Sequence, residues 1–150
     1  MISEEELIDY IKPILKAQGF KKKAKRWTKT TEHFTSLFFI QGSCFNKDSY
    51  YVRPGVIVND ITADAFRYGH ISIDIPVTTK EEILSEAERF FSEWSSIDEL
   101  KRKVAAFVEW EERNPVEKRR EETVDYEADP VPAEALFSMP YEAKEQILKL

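Results

Sequence analysis

Cysteine is nearly missing from this chain. A single residue, Cys44, excludes any internal disulfide and suits a reducing compartment, so a cytoplasmic location is expected. Long apolar runs are missing too: no window approaches the ~18 apolar residues of a membrane span, and no membrane association is expected. The opening MISEEELIDY is acidic where a secretory signal is basic and then apolar. With only four glycines there is no phosphate-cradling glycine loop, and no Gly-x-Ser-x-Gly context surrounds any serine.

Reactive side chains are correspondingly sparse. Of the two histidines, His33 falls in a polar turn and His70 on the outward parity of an alternating strand, where both read as surface residues. A metal site needs more ligands than one histidine with scattered carboxylates, so no metal and no cofactor are expected. Cys44 sits in an apolar strand, where a free cysteine behaves as a small buried hydrophobe; a nucleophile would need a base and an open site. Glu4, Glu5, Glu6, Glu81, Glu82 and Glu99 occupy first helical turns, where the helix dipole favours them, and Glu109, Glu111 and Glu112 read as a solvated face. No cluster assembles into a catalytic group, and the chain is not expected to be an enzyme.

What is present builds a core. The chain of 150 residues is 42% hydrophobic and 33% charged, enough for one α+β domain that stays soluble. Its most apolar stretch, FTSLFFIQGSCF (34–45), places Phe34, Phe38 and Ile40 on one parity and Leu37, Phe39 and Phe45 on the other. A strand apolar on both faces belongs in the middle of a sheet covered on each side, here by the helices before and after it. Further strands are expected at 26–30, 50–59 and 70–76, with short connections that favour an antiparallel meander of four strands. Pro54-Gly55 predicts a bulge or an edge in the third of these.

Helix signals flank the strands. Ser3 with Glu6, Thr79 with Glu82 and Ser96 with Glu99 are capping-box pairs that open three helices. Leu7, Ile8, Ile11, Ile14 and Leu15 form the stripe of the first, Pro13 should bend it, and Gly19 can end it in the left-handed conformation. Asn114-Pro115 stops the third helix or restarts it as a short one. Residues 1–114 therefore read as the α+β domain, and 115–150 as a charged strap and short C-terminal helix packing on that domain or on a neighbour.

Charge is unevenly spread around a net of −6. Lys21, Lys22, Lys23, Lys25, Arg26 and Lys29 surround Trp27 with no acidic residue among them. Lysines on an edge strand discourage edge-to-edge pairing, which is the plain reading. The functional reading is a patch for an anionic partner, with Trp27 available to stack on a base or pack on a protein. The acidic segment 117–129 offers the same lysines an internal partner.

The runs ILKAQGFKKKAKRW (14–27), LFFIQGSCF (37–45) and YYVRPGVIVNDI (50–61) resemble the bacterial families typified by domain of unknown function 4304. Those open with a helix ending in a Gly-Phe-Lys-Lys-like turn and continue through an Ile-Gln-rich strand. The resemblance implies a small α+β domain with no catalytic residues to carry over. Some families of this general look act as immunity proteins against secreted toxins, an analogy at the level of fold. The expected function is a non-catalytic protein-interaction module of immunity-like or accessory type with an unknown protein partner. The alternative is a nucleic-acid-associated protein using residues 21–29, which the acidic total disfavours.

Overall fold

The computed structural model of the chain describes residues 2–43 and 49–150. Cys44 and Phe45, placed in the central strand by the sequence reading, and the expected turn residues 46–48 lie outside the described residues. The chain forms an α+β fold: an N-terminal helix, a five-stranded antiparallel meander, then helices to the C-terminus.

Helix α1 (Glu4–Ala17) starts where Ser3 Oγ accepts the Glu6 N–H at 3.1 Å and continues through Pro13 as one helix. Gly19, at φ +94°, ends it; the Phe20 and Gly19 amides donate back to the Leu15 and Lys16 carbonyls, each at 3.0 Å. That reversal turns Phe20 into the core and feeds β1 (Lys21–Lys23), a strand the sequence does not announce because three lysines carry no alternation. Next come β2 (Arg26–Thr30), β3 (Phe34–Gly42), β4 (Tyr50–Val58) and β5 (Ile71–Ser72), paired in sequence order with β3 in the centre. The fourth expected strand, at 70–76, is thus only two residues of ladder plus a bridge between Val52 and Ile75.

No bulge interrupts β4 at Pro54-Gly55, because the β3 ladder runs unbroken through Phe38↔Pro54 and Leu37↔Gly55. The Pro54 carbonyl accepts the Ile73 N–H at 3.2 Å, so its main-chain groups face β5. The missing N–H therefore falls where the β4–β5 ladder lapses between Gly55 and the bridge at Val52.

The helices α2 (Lys80–Glu93), α3 (Ile97–Arg113), α4 (Val116–Arg120) and α5 (Tyr141–Leu148), with a 3-10 turn at Glu134–Ser138, complete the chain. Thr79 and Ser96 cap α2 and α3 by accepting the Glu82 and Glu99 amides at 3.2 and 3.4 Å. Helical cover lies on one side of the sheet. Trp27, Phe38, Ile40, Tyr50 and Val52 pack with α1 and α2, while Phe34, Val56, Val58 and Ile71 pack with α2, α3 and α5. All of these strand positions share one side of the pleat. The expectation of helices on both sides is corrected: the other face is covered near Gly55 and Phe39 by Tyr68, at the far end of the connection 59–70.

The C-terminal segment joins the core through Leu136, Met139, Ala143 and Ile147, all buried beside Phe107. Trp110 donates to the Asp129 carbonyl at 2.9 Å, and Arg113 holds the Asp129 carboxylate with two bonds of 3.0 Å. Those bonds, with one from Asn114, hold Asp129 below the usual carboxylate range.

Candidate functional site

The open face of the sheet follows from register. Antiparallel pairing puts Lys21 across from Thr28, Lys23 across from Arg26, Arg26 across from Phe39, and Phe39 across from Arg53. Cross-strand partners share a face, so Lys21, Lys23, Arg26, Thr28, Leu37, Phe39, Gln41, Tyr51 and Arg53 all point away from the helices. The same parity sends Lys22, Trp27 and Lys29 toward them.

The connection 59–70 begins on the helix side, where Ile61 and Ala63 join the core, and its far end brings Tyr68 over the middle of this face. A Cβ on Gly55 would stand 1.6 Å from the Tyr68 carbonyl oxygen, so only glycine admits the crossing chain. Gly69, at φ +106°, approaches the Val56 main chain, where a Cβ would stand 2.7 Å from the carbonyl oxygen. His70 pins the connection from beneath. Its Nδ1 accepts the Val58 N–H at 3.0 Å and its Nε2–H donates to the Ala63 carbonyl at 2.8 Å, which defines the neutral tautomer. The ring is 2% exposed. The surface position read from strand alternation is thereby corrected: His70 precedes the two-residue strand, and its two main-chain bonds draw the ring inside. Gln146 on α5 anchors the other end, its Oε1 accepting the Thr62 and Ala63 amides at 2.8 Å each.

On this platform the aromatic and guanidinium groups stack. The Arg53 guanidinium lies 4.7 Å from both the Tyr51 and Tyr68 ring centroids, and Arg67 lies over the far side of the series at 5.7 Å from Tyr68. Tyr68 meets Phe39 edge-on at 5.0 Å and donates its hydroxyl to Gln41. Arg53 Nε donates to Asp74 at 2.5 Å. Burial alone would lower the Arg53 pKa, but the bonds to Asp74 and Tyr68 outweigh it and raise it. Tyr51 and Phe66 remain exposed, at 40% and 62%.

Beside the stack, Lys23, Lys25, Arg26 and Arg67 border a groove of about 510 Å³ floored by Phe39 and the end of β3. No carboxylate lines it among the described residues. Lys25 is neutralised by an ion pair with Glu4, and among the described residues Lys23, Arg26 and Arg67 have no ion-pair partner.

The basic run 21–29 is thus divided by the pleat and does not form one patch. Lys21, Lys23 and Arg26 face outward, Lys22 lies over the buried Trp27 ring at 5.6 Å, and the Lys29 stem passes 3.6 Å from where a Gly19 side chain would begin. Trp27 is 1% exposed and packs edge-on against Phe38 at 5.9 Å, so it cannot stack on a base. Asp129 pairs with Arg113, and among the described residues no ion pair joins 117–129 to 21–29. Arg53, Arg67, Tyr51 and Tyr68 were missed as site residues; their parity was legible at Tyr51 and Arg53, but the fold-back of 66–68 was not.

His33 is half-buried and bonds Asp60 through Nδ1 at 2.8 Å. Among the described residues no group of three or more His, Cys, Asp or Glu side chains is placed to hold a metal ion, and no helix is long and apolar enough to cross a membrane.

The profile of the family described as Domain of unknown function (DUF4304) matches residues 11–112. The chain belongs to this family. The DUF4304 match spans α1 from Ile11 through Glu112 near the end of α3, so it contains the sheet, its open face and the connection 59–70. Compared with curated proteins and with solved structures, the chain finds no match.

Proposed function

We propose that this DUF4304 chain is a non-catalytic protein-interaction module that receives an acidic protein surface on the open face of its sheet. The carrying observation is the groove of Lys23, Arg26 and Arg67, lined by no carboxylate among the described residues, beside the Tyr51–Arg53–Tyr68 stack, on a chain whose net charge is −6. Tyrosine and arginine dominate the energetic centres of protein interfaces, because each brings large contact area at little conformational cost. Here Arg53 is ordered in advance by two rings and Asp74, which reduces the entropy lost on docking. Complementary charge steers the encounter and rejects basic partners. An immunity-like or accessory role is one form of this reading.

Support for a non-catalytic role comes from the histidines. Both His70 nitrogens are engaged by main chain, and His33 bonds Asp60 on an exposed turn. Nucleic-acid association is the alternative outcome. Against it, Trp27 is buried and the chain's net charge is −6.

The test compares the native chain with a Lys23→Glu/Arg26→Glu/Arg67→Glu variant in nuclease-treated host extract. A recovered acidic protein is then purified and rebound to both forms. Equimolar rebinding to the native chain, weakened at least tenfold in the variant, is expected. Equal rebinding by both forms, or capture of a partner only when the nuclease is omitted, would overturn the reading.

A further inference from the structure

A second set of cations lies outside the family match, on the C-terminal helices. Arg119 on α4 is held with its guanidinium 5.8 Å from the Trp110 ring centroid and 5.7 Å from that of Phe137. Its side chain makes no hydrogen bond among the described residues, and its guanidinium meets Glu111 only at 3.9 Å. Lys144 on α5, 7% exposed in its side chain, donates to the same Glu111 carboxylate at 2.9 Å and sits over the Phe107 ring. Arg119, Arg120, Lys144 and Glu111 border a hollow of about 580 Å³ whose remaining wall is apolar, with Phe137, Met139 and Tyr141 prominent in it. Phe137 and Tyr141 are 43% and 72% exposed at its rim.

Two features of this hollow specify a ligand. Three cations face one carboxylate, so the site is two charges short of neutrality, and the shortfall is concentrated around a guanidinium already fixed in orientation. A planar guanidinium with unused donors matches the oxygens of a phosphate, which it can bind through two parallel bonds. The aromatic rim offers a surface for whatever carries the phosphate.

We propose that this hollow binds a phosphate monoester carried on an aromatic or apolar body, with Arg119 and Lys144 on the phosphoryl oxygens, Arg120 supplying the second excess charge, and Phe137 and Tyr141 against the body. The site shares no residue with the groove on the sheet face and stands independently of the protein-interaction reading.

The experiment is an NMR titration of the full chain with phenyl phosphate, inorganic phosphate and benzoate. Saturable shifts confined to residues around Arg119, Phe137 and Lys144 are expected with phenyl phosphate. Inorganic phosphate, which lacks the ring, and benzoate, which lacks the second charge, should each bind at least tenfold more weakly. Arg119→Ala should weaken phenyl phosphate at least tenfold. If that variant unfolds through loss of its ring contacts, Arg120→Gln on the exposed rim should still weaken binding severalfold with an unchanged fold. A phosphotyrosine peptide binding more tightly than the free ester would place the phosphate on a protein, and the reverse order on a small molecule. No saturation by phenyl phosphate, equal binding of benzoate, or binding unchanged in both variants would overturn the proposal.

Discussion

The two faces of the sheet are covered by different means. Adjacent residues of one strand show the difference: Phe38 points into helices α1 and α2 and is 0% exposed, whereas Phe39 points the opposite way, beneath Tyr68, and is 7% exposed. The helix-covered face is continuous apolar packing, from Trp27 at one end to Ile71 at the other. The loop-covered face is held by a few directed bonds, from His70, Gln146, Tyr68 and Asp74. A face closed by helices supplies stability. A face closed by one connection leaves arginines and tyrosines at its margins, ordered yet reachable, which is what a docking surface requires.

Truncating the same residue type on each side separates the two kinds of cover most strongly. Phe38→Ala should cost an amount near the top of the roughly 3–5 kcal/mol typical of buried aromatic truncations, since helices on both flanks resist collapse into the void. Phe39→Ala should fall at or below about 3 kcal/mol, because the connection above it can settle. Urea unfolding of the two variants checks this. Equal losses would mean that the loop packs as rigidly as the helices.

A smaller effect is expected from Gly55→Ala. The new methyl group would stand 1.6 Å from the Tyr68 carbonyl, and the crossing chain must lift. We expect a loss of about 1–3 kcal/mol, with amide exchange accelerated between residues 63 and 70 and unchanged in α1. A variant as stable as the native chain would show that the close crossing does not hold the loop.

Much of this architecture is local and therefore legible in the sequence. Each capping pair acts within three residues, so Ser3, Thr79 and Ser96 announce their helices without tertiary help. The central strand declares itself by apolar residues on both parities. The nature of its cover does not, because residues 59–70 have no periodicity and act through Gly55, a residue whose significance is the absence of a side chain. Trp27 shows a signal that was available: alternation along 21–29 places it with Lys22 and Lys29 and opposite Arg26, but charge density obscured the parity. Glu111 and Lys144 lie far apart in the chain, and Glu111 beside other glutamates gave no sign of a buried partner. Arg119 likewise depends on how α4 folds back over Trp110, which no local pattern encodes.

Gln146 offers the gentlest test, since it links the two kinds of cover. It belongs to α5, whose Ala143 and Ile147 lie in the helix-covered core, and its side-chain oxygen accepts the Thr62 and Ala63 amides at the start of the connection whose far end carries Tyr68 over the other face. Ala63 in turn receives the His70 bond, so one glutamine from outside the family match braces a connection within it. In Gln146→Ala both amides lose this acceptor, and Thr62 is exposed enough for water to replace it. The expected loss of about 0.5–1.5 kcal/mol is below the other two. Its location is the informative part: exchange at Thr62 and Ala63 should quicken while Phe38 and Ile40 stay protected. Uniform acceleration across the sheet would show the two faces opening as one unit, and the distinction between a structural face and a presented one would fail.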